Sequence, residues 1–274
     1  MWDETPQPER SRYFRGARPD NLERAALPGC SHPATLCETM VFCDGASLNL
    51  IFDADDTLWD SNIHFLEAFE QFVEAATRLH RRLDRAQVKS LFREIELELI
   101  QTHGYGRGPY LIALERAAER IASADTHAEL RARAREIGAR LLERRCELLP
   151  GVEETLRELS RRHVLMLFTK GARDEQIEKL ERSGLAPLFS RVETPREKDV
   201  DAYRRLIAQA RLATERTFMI GNSPRSDINP ALRAGLRAVY IPHPHTWELE
   251  HEELIPAEGR FVELGNFRDL LNVF

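Results

Sequence analysis

The sequence predicts an α/β protein: a doubly wound parallel sheet with a helical domain inserted into it. Three observations predict this. From about Pro150 onward, apolar runs of strand length alternate with amphipathic helical patterns, as in a parallel sheet with crossover helices. Four helical stripes follow one another between Ser61 and Leu148 with no strand among them. The strands end on acidic or small polar residues, and ligands of open parallel sheets sit at that carboxyl edge.

The elements follow in order. Residues 1–45 read as an extension broken by Pro6, Pro8, Pro19, Pro28 and Pro33. Its sparse apolar residues cannot offset the entropy of ordering it, so disorder is expected. Met40, just before the first strand, is a candidate for an alternative start of translation. Order begins at Leu48–Phe52, an apolar run that stops abruptly at acids and reads as a buried strand. The four stripes are Phe65, Phe69 and Phe72; then Val88, Leu91, Phe92, Ile95 and Leu99; then Leu111, Leu114, Ala118 and Ile121; then Leu130, Ala134, Ile137 and Leu141. A glycine-rich loop, His103–Tyr110, separates the second from the third. The helical domain is thus expected over 61–148, and the sheet domain over 46–60 and 149–274.

After Pro150-Gly151, a helix over Val152–Leu159 leads to a strand at Val164–Phe168. A helix over Asp174–Ser183 stops at Gly184. Leu206–Ala210 is helical, and Phe218–Ile220 is a strand ending at Gly221. Ala231–Ala234 is helical and closed by Gly235; Ala238–Ile241 and, more weakly, Arg260–Val262 read as the last strands.

Composition narrows the class. The 274 residues carry 45 acidic and 39 basic side chains, a formal charge of −6, which gives no footprint for a nucleic-acid partner. The basic stretch Arg131–Arg145 is interleaved with Glu136 and Glu143 and reads as a solvated helix face. No apolar run reaches membrane-span length, and the first residues carry no hydrophobic signal-peptide core, so a secretory leader is not expected. Cys30, Cys37, Cys43 and Cys146 form neither a zinc spacing nor a CxxC pair. Free thiols in a reducing cytoplasm are expected, with a site built from Cys30, Cys37 and Cys43 as the alternative.

The chemistry collects at the strand ends. Asp53 and Asp55 are two apart on extended chain, so both carboxylates leave on one side. Such a pair suits a nucleophile beside a general acid/base, with a hard cation offsetting the repulsion. An acidic turn, with Asp56 or Asp60 capping the next helix, accounts for the same residues. Thr169 and Gly171 follow the second strand and offer a hydroxyl and backbone N–H groups; Lys170 lies between them. Lys198 offers an ammonium just before a helix. Phosphoryl transfer needs such donors around the transferred group. On the His103–Tyr110 loop, Arg107 is the candidate for an anionic substrate group, and Tyr105 or His103 for stacking or hydrogen bonding. In Pro242–Glu250, His243 and His245 read as a rim or as a metal pair.

The ordered set resembles the haloacid dehalogenase-like hydrolase superfamily, over about Leu48 to Ile241. Asp53-Ala54-Asp55-Asp56-Thr57 matches its DxDxT motif. Thr169 matches the second motif and Lys198 the third; Gly221-Asn222-Ser223-Pro224-Arg225-Ser226-Asp227 matches the fourth, GDxxxxD, with Asn at its second position. The helical domain stands where one branch of the family carries a cap. The resemblance implies a Rossmann-like core and a phosphatase rather than a dehalogenase, since dehalogenases lack the second aspartate. It implies Asp53 as nucleophile and magnesium ligand, and Asp55 as acid/base whose backbone carbonyl meets the metal. It implies Thr169 and Lys198 on the phosphoryl group, and Asn222 and Asp227 completing the Mg2+ site. Asn222 removes one charge from that site. Asp56, where the family often has glycine, orients solvent or caps a helix. The substrate expected is a small phosphorylated metabolite, and the protein a monomer or homodimer. A haloacid dehalogenase-type hydrolase and a non-catalytic binding protein on the same fold are the alternatives.

Overall fold

A computed structural model describes residues 45–122, 126–145 and 147–274. The extension up to residue 44 and all four cysteines lie outside the described residues. Six parallel strands form one sheet: β1 (Asn49–Phe52), β2 (Val164–Phe168), β3 (Arg191–Glu193), β4 (Thr217–Gly221), β5 (Arg237–Tyr240) and β6 (Phe261–Glu263). Their spatial order is β3-β2-β1-β4-β5-β6. The chain therefore winds outward from β1 in both directions, and the crevice between β1 and β4 is the switch point where ligands bind in such sheets.

The burial of β1 follows from its two-residue period. Leu50 and Phe52 face one core with Leu156, Leu159, Leu167 and Ile220; Ile51 faces the other with Met166, Met219, Tyr203 and Leu206. Both faces are covered, which is why the strands read as unbroken apolar runs. Helices α5 (Val152–Leu159), α6 (Arg173–Arg182) and α9 (Leu270–Val273) cover the first face. Helices α7 (Val200–Ala210) and α8 (Asn229–Arg233) cover the second.

Between β1 and β2 lie four helices: α1 (Asn62–Leu79), α2 (Arg85–His103), α3 (Arg107–Ile121) and α4 (His127–Glu143). They bury their stripes against one another in a core of their own, with Phe72, Phe92, Ile95, Leu114, Leu130 and Ile137 at its centre. Asp84 caps α2 through a reciprocal box, its carboxylate accepting from Gln87 N at 2.8 Å while Asp84 N donates to Gln87 Oε1 at 3.0 Å. The chain enters and leaves through two antiparallel segments. Leu149 N donates to Leu58 O at 2.9 Å, and Asp60 N to Glu147 O at 3.1 Å. Among the described residues, no helix is long and apolar enough to cross a membrane.

Two expectations change. The His103–Tyr110 stretch is a loop only at Gly104–Gly106, because α2 ends at His103 and α3 begins at Arg107. Pro109 falls in the first turn of α3, where its missing N–H costs nothing. Strand β3 was not expected. It has three residues, only Val192 of them apolar, and exists through its pairing to β2.

Candidate active site

Strand β1 delivers Asp53 into the switch-point crevice; its N–H donates to Ile220 O of β4 at 2.9 Å. The Asp53 carboxylate is buried, and Lys198 Nζ lies 2.5 Å from its Oδ1. Lys198 also pairs with Asp227 and donates to Phe168 O at 3.2 Å. Its place is set by α7, which starts immediately after it and is capped by Asp199 accepting from Ala202 N at 2.7 Å. Asp227 sits in the turn after β4 and accepts from Ser223 N at 2.9 Å. A Cβ on Gly221 would meet Asp227 Oδ2 at 2.3 Å, so only glycine lets that carboxylate reach the site.

Two buried carboxylates thus share one ammonium. Burial raises the Asp53 carboxyl, Lys198 opposes the rise, and repulsion from Asp55 adds to it. Burial and the Asp53 charge raise Asp227 to about 7 against the pull of Lys198. For Lys198, burial acts downward, but Asp227 and Asp53 outweigh it and hold it charged. Asn222 stands beside them. Thr57 Oγ1 lies 3.2 Å from Asp53 Oδ2 and 3.1 Å from Asn222 Oδ1, and Asn222 Nδ2 donates to Thr246 Oγ1 at 2.8 Å.

Asp55 lines the same crevice in a different setting. Its Oδ1 accepts from Trp59 Nε1 at 2.7 Å and Lys179 Nζ at 2.8 Å; its Oδ2 accepts from Gln176 Nε2 at 2.9 Å and Lys179 Nζ at 3.0 Å. Burial acts to raise this carboxyl, but Lys179 and the other donors hold it below the usual carboxylate range. Asp56 has φ +60°, the left-handed region that favours glycine and that aspartate tolerates. Its Oδ1 accepts from Ser61 N at 2.9 Å and Asn62 N at 3.0 Å, so it caps the start of α1.

Thr169, Lys170 and Gly171 follow β2 and line the crevice. Gly171 has φ +123°, and a Cβ there would meet Gln176 Nε2 at 2.8 Å, so the glycine lets Gln176 reach Asp55. Lys170 Nζ pairs with Glu250 at 2.6 Å and lies 4.5 Å from the ring centre of Tyr105. The crevice opens into a cavity of about 180 Å3 whose far wall comes from α1, α2 and α3, with Phe65, Leu99, Ile100, Pro109 and Tyr110 on it. Tyr105 and Trp247 meet edge to face at 6.1 Å beside it.

Of the residues expected in the site, Asp53, Asp55, Thr169, Lys170, Gly171, Lys198, Asn222 and Asp227 all line this cavity. Arg107 has other partners. Its Nε donates to Glu175 Oε1 at 3.0 Å and its Nη1 to Leu142 O at 2.8 Å, so its charge is already paired; Glu175 lines the cavity, but Arg107 itself does not. His103 stays outside the cavity, next to Thr102. His243 and His245 lie 5.7 Å apart between ring centres, and His243 turns to an acid. Its Nε2 is 3.2 Å from Asp60 Oδ1, and with Asp56 these three side chains are the one group of metal-ligating type found among the described residues. Lys179, Gln176 and Glu250 were not expected. Residues 176, 179 and 180 share the buried side of α6, and that i, i+3, i+4 spacing was the available signal within a strongly polar segment.

A family model described as a haloacid dehalogenase-like hydrolase matches residues 49–235. The chain belongs to this family. A phosphoserine phosphatase of Thermus thermophilus is 38% identical over 104 residues, a match that spans 36% of this chain and 42% of that protein. A haloacid dehalogenase-like family hydrolase of Xanthomonas campestris is 31% identical with a TM-score of 0.67, covering 82% of this chain and 92% of that one. A 2-haloacid dehalogenase of Pseudomonas syringae pv. Tomato shares the fold at 20% identity and a TM-score of 0.51, covering 83% of this chain and 97% of that one.

Proposed function

We propose that this hydrolase cleaves the phosphomonoester of a small metabolite through a phosphoryl-enzyme on Asp53, with magnesium as cofactor. The observation that carries the reading is Asp53, buried at the sheet switch point, with Lys198 Nζ 2.5 Å from its carboxylate and Asp55 two residues on. An Asp53 oxygen attacks phosphorus and forms the acyl phosphate, while the ester oxygen departs with a proton from Asp55, which must take that proton up before the step because Lys179, Trp59 and Gln176 hold it ionised in the free enzyme. Asp55 then takes a proton from water, whose oxygen attacks phosphorus, and phosphate leaves with Asp53 restored. Lys198 and Thr169 hold the phosphoryl oxygens as their charge rises.

The donor set fits a hard dication. Asp53, Asp227, the Asn222 carboxamide and the carbonyl of Asp55 offer oxygen alone, and one ammonium leaves the two buried carboxylates with an excess of negative charge. Magnesium bound there would neutralise the incoming phosphoryl oxygens. Helices α1, α2 and α3 wall one side of the cavity, and in the role of a cap they would exclude water from it. The phosphoserine phosphatase match makes phosphoserine the first compound to test. A panel of phosphomonoesters and short haloacids, each with magnesium, separates the readings. Phosphate release with no halide release is expected; halide release, or silence across the panel from folded protein, contradicts the proposal.

A further inference from the structure

Lysine is expensive to bury unless its charge is paired, and Lys179 is buried on α6 with a side chain only 7% exposed. It grips both oxygens of Asp55, at 2.8 and 3.0 Å. With Trp59 on one oxygen and Gln176 on the other, the Asp55 carboxylate has two donors on each oxygen and a single orientation. The ion pair does not end there. One helical turn back, Glu175 Oε1 lies 3.6 Å from Lys179 Nζ. The same Glu175 accepts from Arg107 twice, at Nε and at the backbone N, both at 3.0 Å. Arg107 opens α3, and its Nη1 holds the carbonyl of Leu142 in the last turn of α4. Glu175 and Arg107 are each only 12% exposed in their side chains, so solvent screens this chain of charges weakly.

We propose that Lys179 is the positioning residue for Asp55, and that Glu175 and Arg107 make its position depend on where the four-helix domain is seated. This rests on the reading of Asp55 as the acid/base. Arg107 would then serve the site from a distance, holding the domain rather than meeting substrate. A shift of the α3 N-terminus would pull Glu175, release one side of Lys179 and let the Asp55 carboxylate turn.

The test is a double-mutant cycle on an aryl phosphate, whose departing group needs least protonation, so that Asp55→Asn keeps measurable turnover. Lys179→Met should lower kcat by about 10- to 100-fold with KM little changed. In the Asp55→Asn background it should lower kcat no further, and Lys179→Arg should recover part of the loss. Arg107→Met should give a smaller loss that also vanishes in that background. A second readout needs no substrate: in Arg107→Met, backbone amide exchange should rise in the Asp55–Trp59 turn as well as at the start of α3. Equal losses with and without Asp55, or unchanged exchange in that turn, overturn the proposal. If Lys179→Met does not fold, Gln176→Leu and Glu175→Gln run the same cycle. A silent wild type is a separate result: it sinks the phosphatase reading, while the exchange experiment still decides the relay.

Discussion

Gly221 shows how one missing side chain shapes this site. A Cβ there would lie 2.3 Å from Asp227 Oδ2 and 2.4 Å from its Cγ, too close for either group to stay in place. Gly221→Ala is therefore expected to push Asp227 off Lys198, cost about 1–3 kcal/mol by overpacking and reduce phosphate release at least about 100-fold. Thermal unfolding and kcat measure the two effects; a variant with native turnover contradicts the role given to Asp227. Asn222 carries the opposite lesson. It supplies an oxygen but no charge, and its Nδ2 is engaged by Thr246 at 2.8 Å. Cation affinity follows the number of charged ligands. Asn222→Asp should lower the magnesium concentration for half-maximal activity and also lower the melting temperature without metal, because it adds a third carboxylate to a buried cluster. A half-saturation value that rises or stays fixed contradicts the place assigned to Asn222.

Single elements matter here mostly by what they tie together. Glu250 lies beyond β5 and reaches back to Lys170, at 2.6 Å, and to the hydroxyl of Ser223. Burial alone would raise its carboxyl; Lys170 outweighs this and, with Ser223, holds it at about 2. A carboxylate depressed in the folded state stabilises fully above its unfolded pKa of 4.5 and loses that contribution as pH falls toward 2. The wild type should exceed Glu250→Gln in stability by roughly 2–3 kcal/mol at neutral pH, with the gap closing between those two values as acid is added. Urea titrations at several pH values read the gap directly; a gap independent of pH contradicts the pairing. The polar helix α6 explains why part of the site was invisible in the sequence. RDEQIEKLER reads as a surface helix, yet Gln176 and Lys179 are buried because Asp55 lies opposite them in the fold. Strand β3 escaped for a related reason: its pairing with β2, not its own composition, makes it a strand.

At the scale of the whole molecule, the sequence and the structure agree wherever local pattern determines the outcome. The doubly wound sheet was readable because each central strand is an apolar run covered on both faces, and the four helices because each carries a stripe with helical period. Seven of the nine expected site residues line one cavity because they stand just past the ends of those strands, and Lys198 joins them from the loop after β3. Arg107 was misjudged because its partner, Glu175, is 68 residues away, and no local pattern reports such a pair. The same geometry makes Asp53 the centre of the account, since Lys198 and Thr57 both reach its carboxylate at the sheet switch point. The most direct measurement is a rapid acid quench of the enzyme turning over a phosphomonoester with magnesium, followed by mass spectrometry of the peptide that contains residues 49–59. The account predicts one phosphoryl group on Asp53 in the wild type and none in Asp53→Asn, which should also release no phosphate. Phosphate release by Asp53→Asn at the wild-type rate, or a phosphoryl group found on another residue, would contradict it.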